Sequence, residues 1–143
     1  MNTFKHITLS VLLASVPSLA AQRSATEWYQ QGIEAKYRIK DAVAIESFEQ
    51  AANLGHTESQ YELAMLLLNQ ELIQGKSHDE SISWLTQAAK NNHSKAQYEL
   101  AMFYMDEYEN PNSEQLVNKW MTEAASNNHQ DAVAWVAKTK PSN

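Results

Sequence analysis

The chain has 143 residues, a formal charge of −6 and no cysteine. That length suits one small domain, and the acidic balance argues against nucleic acid and anionic membrane surfaces, which reward basic patches. Without cysteine there are no disulfides, so stability must come from packing alone.

The first element reads as an address. Lys5 and His6 precede an apolar stretch from Ile7 to Val16, followed by Pro17-Ser18-Leu19-Ala20. A weakly positive start, an apolar middle and small residues at Ser18 and Ala20 form the three-part pattern of a secretory signal peptide, residues 1–20, with cleavage after Ala20. The run is shorter than the roughly 20 residues needed to span a bilayer; an uncleaved anchor or a buried helix is the other reading. No cysteine follows it, so the bacterial lipoprotein route is closed. No second apolar run follows, so the rest of the chain is expected to be soluble and periplasmic or secreted.

The remaining chain predicts seven helices over 24–37, 40–54, 57–70, 78–91, 94–107, 113–127 and 130–139. Within Ser81 to Ala89, Ile82, Leu85, Ala88 and Ala89 share one helical face. Ser24-x-x-Glu27, Thr57-x-x-Gln60, Ser77-x-x-Glu80 and Ser94-x-x-Gln97 are capping-box patterns at helix starts. Gly55, Asn91-Asn92 and Asn127-Asn128 suit helix ends because Gly and Asn tolerate left-handed backbone. Asn110-Pro111-Asn112 is a break. Nothing reads as a strand.

The chain repeats itself. "AIESFEQAANLGHTESQYELAMLLL", "SISWLTQAAKNNHSKAQYELAMFYM" and "QLVNKWMTEAASNNHQDAVAWVAKT" align end to end. Ala51-Ala52, Ala88-Ala89 and Ala124-Ala125 recur at 37 and 36 residues, as do His56, His93 and His129, and Trp84 and Trp120 lie 36 apart. This period is the scale of a helix–turn–helix unit. The expected units are 24–56, 57–93 and 94–129 with a terminal helix at 130–139, alternating A and B helices. The Ala pairs, Leu63, Leu100, Ala64, Ala101, Trp84 and Trp120 read as packing residues.

The phrase "SWLTQAAKNNHSKAQYELAMFYM" resembles the Sel-one-like repeat, over about residues 41–138. The first unit also resembles the related tetratricopeptide repeat, with Trp28, Gly32, Ala44, Phe48 and Ala51 in that pattern's places and Ala35 and His56 departing from it. The chain departs from the Sel-one-like pattern too: Ala64, Ala101 and Ala137 stand where glycine is usual, only Gly75 lies in an inter-helix loop, and there is no cysteine pair. The resemblance implies an all-α fold, a right-handed α/α superhelical solenoid with altered loops and lower stability. In its register, the exposed places of the A helices hold Tyr29 and Ile33, then Tyr61 and Met65, then Tyr98, Met102 and Met105. These are the candidate partner-binding residues, with Glu58, Glu62 and Glu99 framing them. The same residues could instead pack A helix on A helix.

Chemistry has little to stand on. There is no phosphate-binding glycine loop, paired-histidine motif or nucleophile elbow. The three histidines recur one unit apart. Packed helices sit about 8–10 Å apart and a zinc–histidine bond is about 2 Å, so they are too far apart to share an ion. No catalytic, metal or cofactor residue is therefore assigned. The resemblance implies a protein–protein adaptor of the bacterial envelope with a protein partner. Its small secreted members also suggest a periplasmic immunity protein that neutralises a toxic effector, and some suggest a secreted hydrolase. The last helix, with Val133, Trp135 and Val136, has little chain to cover it, so dimerisation through a solenoid end is a further expectation.

Overall fold

A computed structural model describes residues 23–107 and 110–139. The expected signal peptide lies outside the described residues. Among these there are seven helices and no strand: α1 (Ala25–Tyr37), α2 (Asp41–Asn53), α3 (Thr57–Gln74), α4 (Asp79–Lys90), α5 (Ser94–Asp106), α6 (Ser113–Ser126) and α7 (Gln130–Thr139). Each helix packs against the next in the chain, so the array is built of successive helical hairpins. The A helices are α1, α3, α5 and α7; the B helices are α2, α4 and α6.

The alanine pairs set the spacing. Ala51, Ala52, Ala88, Ala89 and Ala124 are buried with at most 2% exposure. A side chain of one carbon at the end of each B helix lets the neighbouring A helices approach closely. Between them the core forms two clusters, one around Phe48, Leu63 and Leu67, the other around Leu85, Leu100, Trp120 and Met121. Trp84 is half-buried and packs against both. In the first hairpin Gly32 faces the Phe48 ring: a Cβ there would stand 2.5 Å from two ring carbons. Glycine is what admits Phe48 to this position.

The B helices end as their turn residues predict. Gly55, Asn92 and Asn128 are left-handed, with φ of 85°, 63° and 64°. The next amides, of His56, His93 and His129, donate to the carbonyls of Ala51, Ala88 and Ala124. This is the Schellman arrangement, closing otherwise unpaired carbonyls. The turn after α1 uses the same geometry with Ile39 in the glycine's place, at φ 56°. A β-carbon in this region costs about 1–2 kcal/mol.

Helix starts depart from expectation. Only Ser24 and Glu27 form the capping box; the Ser24 backbone N–H and hydroxyl, in that order, hold the Glu27 carboxyl below its usual range. The boxes expected at Thr57-x-x-Gln60 and Ser94-x-x-Gln97 do not form. α3 and α5 are instead capped one residue earlier, by His56 and His93. The box expected at Ser77-x-x-Glu80 is also absent: α4 has no cap from its own N-cap side chain.

Its first turn is held from outside. α3 runs to Gln74, four residues past the expected end, and its added turn brings in Glu71. The buried Glu71 carboxylate accepts from the Ser81 hydroxyl at 2.6 Å and the Ser81 backbone N–H at 3.3 Å. One helix thereby caps the next.

Candidate functional site

Three aromatic stacks join the A helices. Each crosses from the tyrosine of one unit to the histidine before the next A helix. Tyr29 lies against His56 with ring centroids 4.6 Å apart, Tyr61 against His93 at 4.6 Å, and Tyr98 against His129 at 4.3 Å. The interplanar angles fall from 30° to 24° to 11° along the array.

Two of the three histidines, His56 and His93, do two jobs; His129 Nδ1 is buried without a hydrogen-bond partner among the described residues. His56 Nδ1 accepts the Ser59 N–H at 3.2 Å, and His93 Nδ1 accepts the Ala96 N–H at 3.1 Å. Each therefore uses a ring lone pair to cap a helix start while its ring face receives a tyrosine. This assigns Nδ1 as the acceptor and Nε2 as the N–H. Nε2 of His93 donates to the Glu58 carboxylate of the preceding A helix at 2.9 Å.

A second recurrent contact involves the glutamines expected to cap. Gln60 Nε2 donates to the Ala52 carbonyl, and Gln97 Nε2 to the Ala89 carbonyl. Their Oε1 atoms accept from Asn91 Nδ2 at 3.0 Å and Asn127 Nδ2 at 2.9 Å. A buried glutamine in each of α3 and α5 thus ties the end of the previous B helix to the end of the B helix that follows.

The ladder stops at both ends. Ser24 stands where a histidine would precede α1, and Ala134 where a tyrosine would lie on α7. Neither end therefore offers the missing half of a further stack.

The carboxylates near the tyrosines act on them electrically. Burial pushes the Tyr61 phenol up to about 12, with the charges of Glu99, Glu62 and Glu58 adding to it. Tyr29 is raised by burial and by Glu58 and Glu62. Lys36 of α1 pairs with Glu62 of α3. Lys95 Nζ lies 6.0 Å from the Tyr61 ring centre.

The candidate partner residues divide by depth. Tyr29, Tyr61, Tyr98 and Met102 are half-buried and pack against the core clusters. Met65 is half-buried as well. Ile33 and Met105 are the most open, 39% and 41% exposed. Met105 also lines a groove with Tyr104, Val117 and Trp135, where α5, α6 and α7 meet. The structure thus puts the tyrosines at the junctions, and leaves Ile33 and Met105 as the outward residues of the set.

The sequence carried a signal for the ladder that spacing within one unit could not expose. His56, His93 and His129 share the repeat period with Tyr61 and Tyr98, but each stack pairs a histidine with the tyrosine of the unit before. Among the described residues no group of three or more His, Cys, Asp or Glu side chains is placed to hold a metal ion. No helix among them is long and apolar enough to cross a membrane. Ser81 and Glu71, the closest hydroxyl–carboxylate pair, are both buried and engaged in capping α4. Comparisons with protein-family models, with curated proteins and with solved structures return no match.

Proposed function

We propose that this chain is a non-enzymatic protein-binding scaffold of the bacterial cell envelope, exported by the segment 1–20. In this reading the hairpins form a right-handed α/α superhelix, and the A helices line its inner face. Tyr29, Ile33, Tyr61, Met65, Tyr98, Met102 and Met105 mark that face. The observation that carries the reading is the division of labour along the A helices. The tyrosines stack on histidines and set the junctions, while the positions four residues on hold Ile33, Met65 and Met102 in series. Tyrosine gives large area with a polar tip, and methionine adapts to irregular partners. An amphipathic helix or an extended peptide laid across the A helices is the mode such a surface favours.

The test separates surface from framework. Ile33, Met65, Met102 and Met105 are changed together to Ser, leaving every Tyr–His stack in place. Helical circular dichroism should be retained, and a partner captured from the envelope fraction by the wild-type chain should be lost. Undiminished capture by the quadruple variant would sink the reading.

A further inference from the structure

The ends of α1 and α3 share one edge of the array. Near their starts Tyr29 meets His56, and further along Lys36 meets Glu62. The two helices therefore run in the same direction, and the turns that follow them lie on the same side. That edge is a step. Tyr29 and Tyr61 are each the fifth residue of their helix, but α3 has 18 residues to the 13 of α1. The last five residues of α3 therefore stand about 7.5 Å beyond the end of α1.

Both levels of the step are apolar. The α3 overhang carries Leu72 and Ile73, 69% and 76% exposed, and the turn below it carries Tyr37 and Ile39, 90% and 85% exposed. These are the most exposed large apolar side chains among the described residues. Ile39 is a β-branched residue held at φ 56° and left in solvent. Gly or Asn would relieve that backbone. Strain kept without internal return points to a use outside the fold.

Charge decides what can cover the step. Lys36 and Arg38 are held by Glu62 and Glu34. The charges left are Lys40 and Asp41 on the lower level, and Lys76, Asp79 and Glu80 on the upper. None of these five forms an ion pair among the described residues. Each level thus shows both signs, and a surface of one sign meets a like charge on either. A second copy of the chain does not. Lys40 and Asp79 stand at equivalent places, the starts of α2 and α4, with opposite charge. A two-fold axis at the step sets each against the other. The chain elsewhere is acidic. The described residues carry nine Lys or Arg and sixteen Asp or Glu, a net −7. The step and its paired carboxylates account for four and five of these, a net −1, which leaves −6 for the rest. Two copies therefore meet here with little of the like-charge repulsion they meet elsewhere.

We propose that this step is the interface of a homodimer with a two-fold axis. The α3 overhang of each copy fills the notch above α1 of the other. Leu72 and Ile73 lie on Tyr37 and Ile39 of the second copy, while Lys40 and Lys76 meet its Asp79 and Asp41. Such a contact uses one patch twice and closes at two copies. The four apolar side chains offer on the order of 500 Å² per copy and about 1,000 Å² in the pair, the size at which specific interfaces begin. The contact is lateral. It leaves the terminal helix α7 outside, and it does not depend on the reading of the A-helix face.

The test is sedimentation velocity of the full chain over a range of concentrations. The N-terminal apolar segment is identical in all variants, so differences between them read the step. Wild type should pass from monomer to dimer with a dissociation constant in the micromolar range, and no larger species should follow. Tyr37→Ser with Ile39→Asn should weaken the dimer about tenfold or more, as should Leu72→Ser with Ile73→Ser. Charge reversal reads the pairing. Lys40→Glu and Asp79→Lys should each weaken the dimer about fivefold, and the two in one chain should bring it back to within about twofold of wild type. Lys40 is exposed and makes no side-chain cap, and Asn tolerates the left-handed backbone at position 39. Melting temperatures of the Lys40→Glu and Ile39→Asn variants should therefore not fall, so their loss of dimer would not be misfolding. A wild-type monomer at every concentration up to about 1 mM overturns the proposal. So does a dimer that the apolar pairs leave unchanged, or a double charge reversal no tighter than either single one.

Discussion

The His93 ring lies against the Tyr61 ring of the preceding unit, centroids 4.6 Å apart, while its Nδ1 accepts the Ala96 N–H at 3.1 Å. One side chain thus starts α5 and fastens it to α3. The two roles separate by substitution. His93→Asn keeps a good N-cap and loses the stack, costing about 0.5–1.5 kcal/mol. His93→Ala loses both and should cost about 1 kcal/mol more. Urea unfolding at neutral pH measures the difference; equal costs for the two variants would remove the capping role.

Gly32→Ala should destabilise, although alanine is the better helix former by about 1 kcal/mol. The added Cβ would stand 2.5 Å from the Phe48 ring, and Phe48 is fully buried. Overpacking of this kind costs about 1–3 kcal/mol, which outweighs the propensity gain. The double variant Gly32→Ala with Phe48→Leu should recover part of the lost melting temperature by vacating the contact.

Glu71→Ala should fray the start of α4. It strands the Ser81 N–H, served by this carboxylate, while the hydroxyl keeps the His78 carbonyl at 3.1 Å; a buried donor left unpaired costs about 1–3 kcal/mol. Hydrogen exchange at Ser81 should speed up before exchange in α6 changes. Unaltered protection at Ser81 would show that α4 does not need the external cap.

Tyr61 predicts an alkaline limit. Its phenol is pushed from 10.0 up to about 12 by burial first and neighbouring carboxylates second. The folded state therefore holds the proton more tightly than the unfolded chain. That contribution to stability is complete below pH 10 and is lost as pH rises from 10 to about 12. Tyr61→Phe should flatten the fall in stability over this window, followed by circular dichroism. An unchanged slope would assign the alkaline loss to other groups.

Much of the architecture was legible in the chain. The interval between the alanine pairs and the apolar periodicity marked out seven helices, because a period of 36–37 residues and a 3.6-residue stripe are properties of sequence alone. Gly55, Asn92 and Asn128 announced the B-helix ends because few other residues adopt left-handed backbone without cost. The helix starts were less readable. Serine and threonine stood at the expected places, yet His56 and His93 took the caps, since a ring nitrogen one residue earlier reaches the same amide and also offers a face to tyrosine.

What only the tertiary structure decided is the use of each residue across units. Tyr61 and His93 are 32 positions apart, Gln97 and Asn127 are 30, and Glu71 and Ser81 are joined across a turn. No local pattern encodes such pairings: they exist only once packed helices bring different units within hydrogen-bonding and stacking distance. The exposed edge at Tyr37, Ile39, Leu72 and Ile73 was hidden for the same reason. A periodicity shows which residues share a helix face, but the direction of neighbouring helices decides which turns meet the solvent together.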